Sequence, residues 1–109
     1  MSKRQNVIRD DAQLRMNGYL EPIFKEKWYL ESRHQHRYIH DGLEPYHISV
    51  YILPGGVPFI FVSLSSQFSV HIMSFRGWRA IKRFLSDVKT PRELKDRIDA
   101  ERAIRSALT

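Results

Sequence analysis

The 109-residue sequence contains no cysteine. Disulfides, Cys-ligated zinc, iron–sulfur clusters and thiol catalysis are therefore excluded, and the absence fits a reducing cytoplasm. The sequence also lacks a run of about 20 apolar residues, the length that a membrane-spanning helix needs. Residues 1–18 are polar and mixed in charge, unlike a secretory signal peptide. We therefore expect a cytoplasmic protein without a membrane span.

Charge is missing from the middle of the chain, because no Lys, Arg, Asp or Glu occurs between Pro45 and Phe75. Three short apolar runs fill this stretch, at residues 46–53, 57–64 and 67–75, with Pro-Gly-Gly and Ser-Ser between them. Apolar and polar residues alternate in the first and third runs, which is the period of a half-buried β-strand. The pattern predicts an antiparallel meander at the core of the domain.

The charged flanks predict one further strand and three helices. A short first helix is expected over residues 5–16, ended by Asn17-Gly18, and a first strand over Lys25–Ser32 with a continuation into Arg37–Ile39. After Phe75 the apolar period changes from two to about 3.6, which predicts a helix over residues 76–88. Thr90-Pro91-Arg92-Glu93 is a capping box that starts a last helix reaching about Leu108.

The predicted fold class is therefore α+β: a four-stranded antiparallel meander with a short N-terminal helix and two C-terminal helices. No internal repeat, low-complexity segment or linker divides the sequence, so residues 1–109 are expected to form a single domain.

The positive charge is concentrated after the uncharged stretch. The formal net charge is +6, and residues 76–109 hold ten basic and five acidic side chains. A localised basic surface favours a polyanionic partner. Single-stranded nucleic acid needs cations for its phosphates and flat aromatic surfaces for its bases. The candidate nucleic-acid-binding residues are Arg76, Arg79, Lys82, Arg83 and Tyr51, with Phe59, Phe61, Trp28 and Tyr29 as further stacking candidates.

A second hypothesis is a protein-interaction domain, such as an inhibitor or adaptor of the kind that mobile elements encode, acting on a larger protein. The chain is short and rich in Tyr, Phe and Arg, the residues that anchor protein interfaces. An exposed edge strand also accepts partners by strand addition. The sequence does not decide between a nucleic-acid partner and a protein partner, and it leaves the oligomeric state open.

The histidines suggest metal binding or catalysis, but neither pattern is complete. His34, His36 and His40 have the same parity on a strand, yet Arg33 and Arg37 lie among them and disfavour a bound cation. His47 and His71 are expected on neighbouring strands, where two facing histidines could form a general acid–base pair. No nucleophile, base and orienting group occur at a recognisable spacing. We therefore expect a binding module that is not an enzyme and has no cofactor. We assign no metal site, and the sequence does not decide whether His34, His36 and His40 bind a metal.

Overall fold

A computed structural model describes residues 3–25, 36–39, 42–64 and 67–108, with residues 36–38 and 67–70 described by their backbone. The elements follow the order α1, β1, β2, β3, β4, α2 and α3. Their bounds are Lys3–Phe24 for α1, His36–Ile39 for β1, Tyr46–Leu53 for β2, Val57–Leu64 for β3, Gln67–Arg76 for β4, Trp78–Phe84 for α2 and Pro91–Ala107 for α3. None of the described helices has the length and apolar content needed to cross a membrane.

The sheet is antiparallel throughout, with the strand order β1-β2-β3-β4. Val50 pairs with Ile60, and Ile60 pairs with Phe75, so the three uncharged runs lie side by side. The turn between β2 and β3 depends on Gly55 and Gly56, whose φ angles are 82° and 74°. Glycine adopts this left-handed conformation without the steric cost of a Cβ atom, which allows the tight reversal.

One face of the sheet carries the hydrophobic core. Residues paired across strands share a face, so Val50, Ile60 and Phe75 form one buried row, and Ile48, Val62 and Met73 form the next. The helices pack on this face, because their buried side chains belong to the same hydrophobic cluster. These are Ala12, Met16, Leu20 and Ile23 of α1, Ile81 and Phe84 of α2, and Leu94 and Ile98 of α3. The opposite face of β2 to β4 is therefore the one that these helices do not cover, although His47, Ser49 and Ser63 on that face are also buried.

The two C-terminal helices are held together at their junction. Phe84 of α2 stacks on Phe75 of β4 with ring centroids 3.9 Å apart. Thr90 caps α3, since its side-chain oxygen accepts a hydrogen bond of 3.1 Å from the backbone N–H of Glu93. The N-cap that the sequence predicts at Thr90 is thus present.

The α+β class holds, but the predicted architecture is wrong. The N-terminal helix is not short: α1 has 22 residues and continues through Asn17-Gly18. The cause is its apolar face, because Leu20 and Ile23 extend the buried side that begins at Ala12 and Met16. Burial of that face outweighs the stop signal of a single glycine.

The sheet also differs from four full strands. Its body is three antiparallel strands of eight to ten residues, β2 to β4, and β1 adds only four residues beside β2. The first strand predicted over Lys25–Ser32 is not found in the described part of the chain: Lys25 ends the α1 segment, and residues 26–32 lie outside the described residues. Helix α2 is likewise shorter than residues 76–88, because Arg76 belongs to β4 and the chain turns after Phe84.

Candidate nucleic-acid interface

The sheet face opposite the helices carries a row made of two aromatic rings and an arginine. Tyr51 of β2 lies opposite Phe59 of β3, and Phe59 lies opposite Arg76 of β4. Each of these residues neighbours a buried residue of the core face, so strand alternation directs it to the other side. The Tyr51 and Phe59 rings lie 6.0 Å apart and are partly exposed, and Arg76 is exposed.

A second pair of rings lies two residues further along the same face. Phe61 of β3 stacks on His71 of β4, with ring centroids 4.7 Å apart and planes inclined by 19°. Phe61 is partly exposed and His71 is exposed. We call Tyr51, Phe59, Phe61, His71 and Arg76 together the aromatic face. It offers flat π surfaces with a guanidinium at one edge, which is the combination that unstacked bases and a phosphate need.

Helix α2 holds the other three candidate cations on the opposite side of the sheet. Arg79, Lys82 and Arg83 are exposed, whereas Ile81 and Phe84 are buried against the core face. The structure thus brings Arg76 and Tyr51 into one row. It places Arg79, Lys82 and Arg83 on the other side of the sheet, the side that carries the core. Strand β4 pairs with β3 alone among the described strands, so a ligand that crosses from one side of the sheet to the other at β4 can touch both groups.

The histidine pair considered for catalysis is not on neighbouring strands. His47 lies on β2 and His71 on β4, and both pair with Ser63 of the intervening strand β3. His47 and Ser63 are buried, with exposed fractions of 1% and 0%, so solvent does not reach either side chain. The expectation of adjacent, facing histidines is therefore corrected by the strand order.

Several other candidates fall outside the described residues. His34, His40, Trp28 and Tyr29 lie there, and His36 is the first residue of β1. Within the described residues, no group of three or more His, Cys, Asp or Glu side chains is arranged to hold a metal ion.

A polar contact between distant residues lies at the edge of the core. Tyr46 is 2% exposed, and its hydroxyl donates a hydrogen bond to the Asp99 carboxylate of α3. Burial raises the pKa of Tyr46, and the bond to Asp99 raises it further, while Arg102 acts in the opposite direction. The alternation in β2 predicts that Tyr46 is buried, but its partner is 53 residues away and has no sequence signal.

A contact between α1 and the start of α2 also has no signal in the sequence. The guanidinium carbon of Arg15 lies 4.4 Å from the Trp78 ring centroid, and the Tyr19 ring lies 6.0 Å from the same indole. The helical period predicts Trp78 on the buried side of its helix. It is only partly buried, with Arg15 and Tyr19 of α1 beside it.

The chain matches no protein-family model, and neither a curated protein nor a solved structure shows significant similarity to it. The geometry of the chain itself therefore carries the functional argument.

Proposed function

We propose that this chain is a non-enzymatic module that binds single-stranded DNA or RNA. The observation that carries the proposal is the row of Tyr51, Phe59 and Arg76 on the sheet face that the described helices leave uncovered. The stretch without acidic residues supports it, because no carboxylate repels phosphates between Pro45 and Phe75. We place the protein in the cytoplasm, as the cysteine-free composition suggests.

The aromatic face and helix α2 bind different parts of the nucleic acid, in keeping with their chemistry. Bases stack on the rings of the aromatic face, each contributing about 1–3 kcal/mol without selecting a sequence. Arg76 neutralises a phosphate at the end of the row. The backbone then continues around β4 to Arg79, Lys82 and Arg83 of α2, whose first acidic neighbour along the chain is Asp87. Binding of this kind depends strongly on salt, because each neutralised phosphate releases counterions.

The stacking surface is tested by replacing Tyr51 and Phe59 together with alanine and measuring the anisotropy of fluorescently labelled oligo(dT). We expect the affinity to fall by about tenfold or more, since each stacked base contributes about 1–3 kcal/mol. Leu14→Ala is the control, because Leu14 is a 70% exposed apolar residue on α1, away from the aromatic face. Unchanged affinity in the double variant, with a native circular dichroism spectrum, would refute the proposal.

The basic helix is tested through the salt dependence of the same binding. The double substitution Arg79→Ala and Arg83→Ala should flatten the slope of log affinity against log salt by about 0.7 for each phosphate that is no longer neutralised. The aromatic double variant should keep the slope of the unsubstituted protein. A slope that the arginine substitutions leave unchanged contradicts a role for α2.

A protein-interaction domain is the second candidate, and exposed apolar residues on two helices favour it. Val7 and Leu14 of α1 are 58% and 70% exposed, and Ile104 and Leu108 at the end of α3 are 55% and 82% exposed. A contiguous patch of such groups marks a protein interface, and Val7 and Leu14, seven residues apart, share one side of α1. Affinity capture from a nuclease-treated extract tests this hypothesis. A stoichiometric partner that no longer binds Leu14→Asp would favour it over nucleic-acid binding, and capture of nothing would count against it.

A further inference from the structure

An open cleft lies between α1 and the β2–β3 turn, next to the first residue of α2. Its volume is about 300 Å³. It is lined by Ile8, Asp11, Ala12, Arg15, Gly55, Gly56 and Trp78. The two glycines leave the turn side of the cleft without side chains. Among the described residues, a Cβ atom added at Gly55 would meet nothing within 4 Å, whereas one added at Gly56 would lie 2.7 Å from the Ile8 side chain, so the cleft is open at Gly55 and α1 packs closely at Gly56. The cleft therefore has room for a flat ligand of the size of a nucleobase.

The inner wall of the cleft is suited to stacking. Arg15 lies over the Trp78 indole, with its guanidinium carbon 4.4 Å from the ring centroid. Single-stranded bases are commonly stacked on aromatic rings and on arginine guanidinium planes, and an arginine held over an indole provides both. Holding Arg15 in place before a ligand arrives also lowers the entropy cost of forming the stack.

The cleft contains one carboxylate, that of Asp11, besides the Arg15 guanidinium. Asp11 lies four residues before Arg15 in α1, which places both on the same side of the helix. An ionised carboxylate only accepts hydrogen bonds. Guanine presents two adjacent donors on its Watson–Crick edge, the N1–H and the N2 amino group. The other bases offer one donor position on that edge, with an acceptor beside it.

We infer that this cleft is a guanine-selective subsite, in which the base stacks at the Arg15–Trp78 pair and donates two hydrogen bonds to Asp11. This inference rests on the proposed function, because it assigns one base of the same bound strand to a defined site. The position along the chain agrees with it, since Trp78 lies between Arg76 and Arg79, two of the residues proposed to contact phosphates. The module is then not indifferent to sequence: it prefers strands that contain guanine.

The test compares oligo(dT) strands that carry one central dT, dG, dA or dC, again by fluorescence anisotropy. We expect the dG strand to bind roughly fivefold tighter or more, the discrimination that a two-bond base contact provides. Asp11→Asn should remove this preference. The amide has one acceptor oxygen, and its NH₂ group would face one of the two guanine donors without forming a hydrogen bond. Asp10→Asn is the matched control: it changes the same charge on the same helix, but Asp10 does not line the cleft and pairs with Arg9 at 3.2 Å.

Two outcomes overturn the inference: equal affinity for the four strands, or a guanine preference that persists in Asp11→Asn. Neither outcome contradicts the proposed function as long as oligo(dT) still binds. If no strand binds, the proposed function fails. A titration with guanosine monophosphate, followed by tryptophan fluorescence, then tests separately whether the cleft binds guanine. A response to guanosine monophosphate that is absent with thymidine monophosphate and disappears in Asp11→Asn supports the subsite. No response to either nucleotide overturns it.

Discussion

At the scale of single residues, Tyr46 connects the core to the protein surface. Its ring belongs to the buried cluster, and its hydroxyl reaches the exposed carboxylate of Asp99 on α3. A buried hydroxyl that loses its partner costs free energy, so this bond fixes where α3 lies against β2. The bond also ties folding to the ionisation state of the tyrosine.

Replacing Tyr46 with phenylalanine should lower the free energy of unfolding at neutral pH by about 1–2 kcal/mol, because the variant lacks a hydrogen bond to a charged group. Urea unfolding followed by circular dichroism measures this change. Tyr19→Phe is the control, since the contact of Tyr19 with Trp78 is made by its ring and survives the substitution. Equal stability of the two variants would show that the bond to Asp99 contributes nothing.

The pH dependence of stability should change in the same variant. The pKa of Tyr46 is raised above 10.0 in the folded protein, so the unfolded chain releases this proton first as the pH rises. The stability that protonated Tyr46 contributes is fully present below pH 10.0, and it is lost as the pH rises through the pKa of Tyr46 in the folded protein. We therefore expect the stability of Tyr46→Phe to fall less steeply above pH 10.0 than that of the unsubstituted protein. Parallel pH profiles from urea unfolding would contradict this.

The two turn glycines provide another test at this scale. Both have positive φ, so alanine is strained at either position, at a cost of about 1–2 kcal/mol. At Gly56 the added Cβ would also lie 2.7 Å from the Ile8 side chain and 3.2 Å from its carbonyl oxygen. Gly56→Ala should therefore lose about 1–3 kcal/mol more stability than Gly55→Ala in urea unfolding. Equal losses would mean that α1 does not pack closely on the turn.

At the scale of whole elements, the uncharged stretch predicts β2, β3 and β4 well. Alternation marks β2 and β4, because one face of each packs against the helices. Strand β3 is marked instead by a short apolar run between two turn signals. Helix α1 is predicted less well. The steps from Ala12 to Met16, Leu20 and Ile23 carry a helical period, but Gly18 by itself indicates a stop. In α1 the apolar face continues past Gly18, and the helix continues with it.

The short helix α2 is stabilised at its C-terminal end by a side chain from α3. The Arg97 guanidinium donates hydrogen bonds to the carbonyl oxygens of Arg83, Phe84 and Ser86, at 3.2, 3.1 and 2.7 Å. The last carbonyls of a helix lack partners within the helix, and a cation complements their partial negative charge. The sequence shows Arg97 only as one of several charged residues on α3, since the contact is tertiary.

Arg97→Ala should therefore destabilise the fold by about 2 kcal/mol, because three carbonyl oxygens lose a charged donor at once. Arg92→Ala, an exposed arginine in the first turn of the same helix, should change stability by less than about 0.5 kcal/mol. Thermal unfolding by calorimetry measures both variants. A similar melting temperature for the two would mean that the Arg97 contacts do not hold α2 to α3.

At the scale of the whole molecule, the sequence predicts the chemistry of the candidate interface but not its arrangement. The basic residues after Phe75 and the aromatic residues before it are evident in the chain. Which side of the sheet α2 occupies depends on the burial of Ile81 and Phe84 against the row of Phe75, a contact between distant elements. For this reason Arg79, Lys82 and Arg83 lie on the side of the sheet that the helices cover. Of the four basic candidates, Arg76 alone lies on the aromatic face with Tyr51.

This arrangement predicts that the contribution of α2 depends on the length of the bound strand. Under the proposed function, we expect a short oligonucleotide to occupy the aromatic face alone and a longer one to continue around β4 to the basic helix. We expect the decrease in affinity of the Arg79→Ala, Arg83→Ala variant to be small for a strand of about four nucleotides and to grow towards about 16, the range of site sizes that single-strand-binding OB folds show. The decrease caused by Tyr51→Ala should stay constant over the same lengths. Anisotropy titrations at one fixed salt concentration measure both series. A decrease in the arginine variant that is already complete with the shortest strand would contradict a path around β4, because a strand confined to the aromatic face would not reach α2.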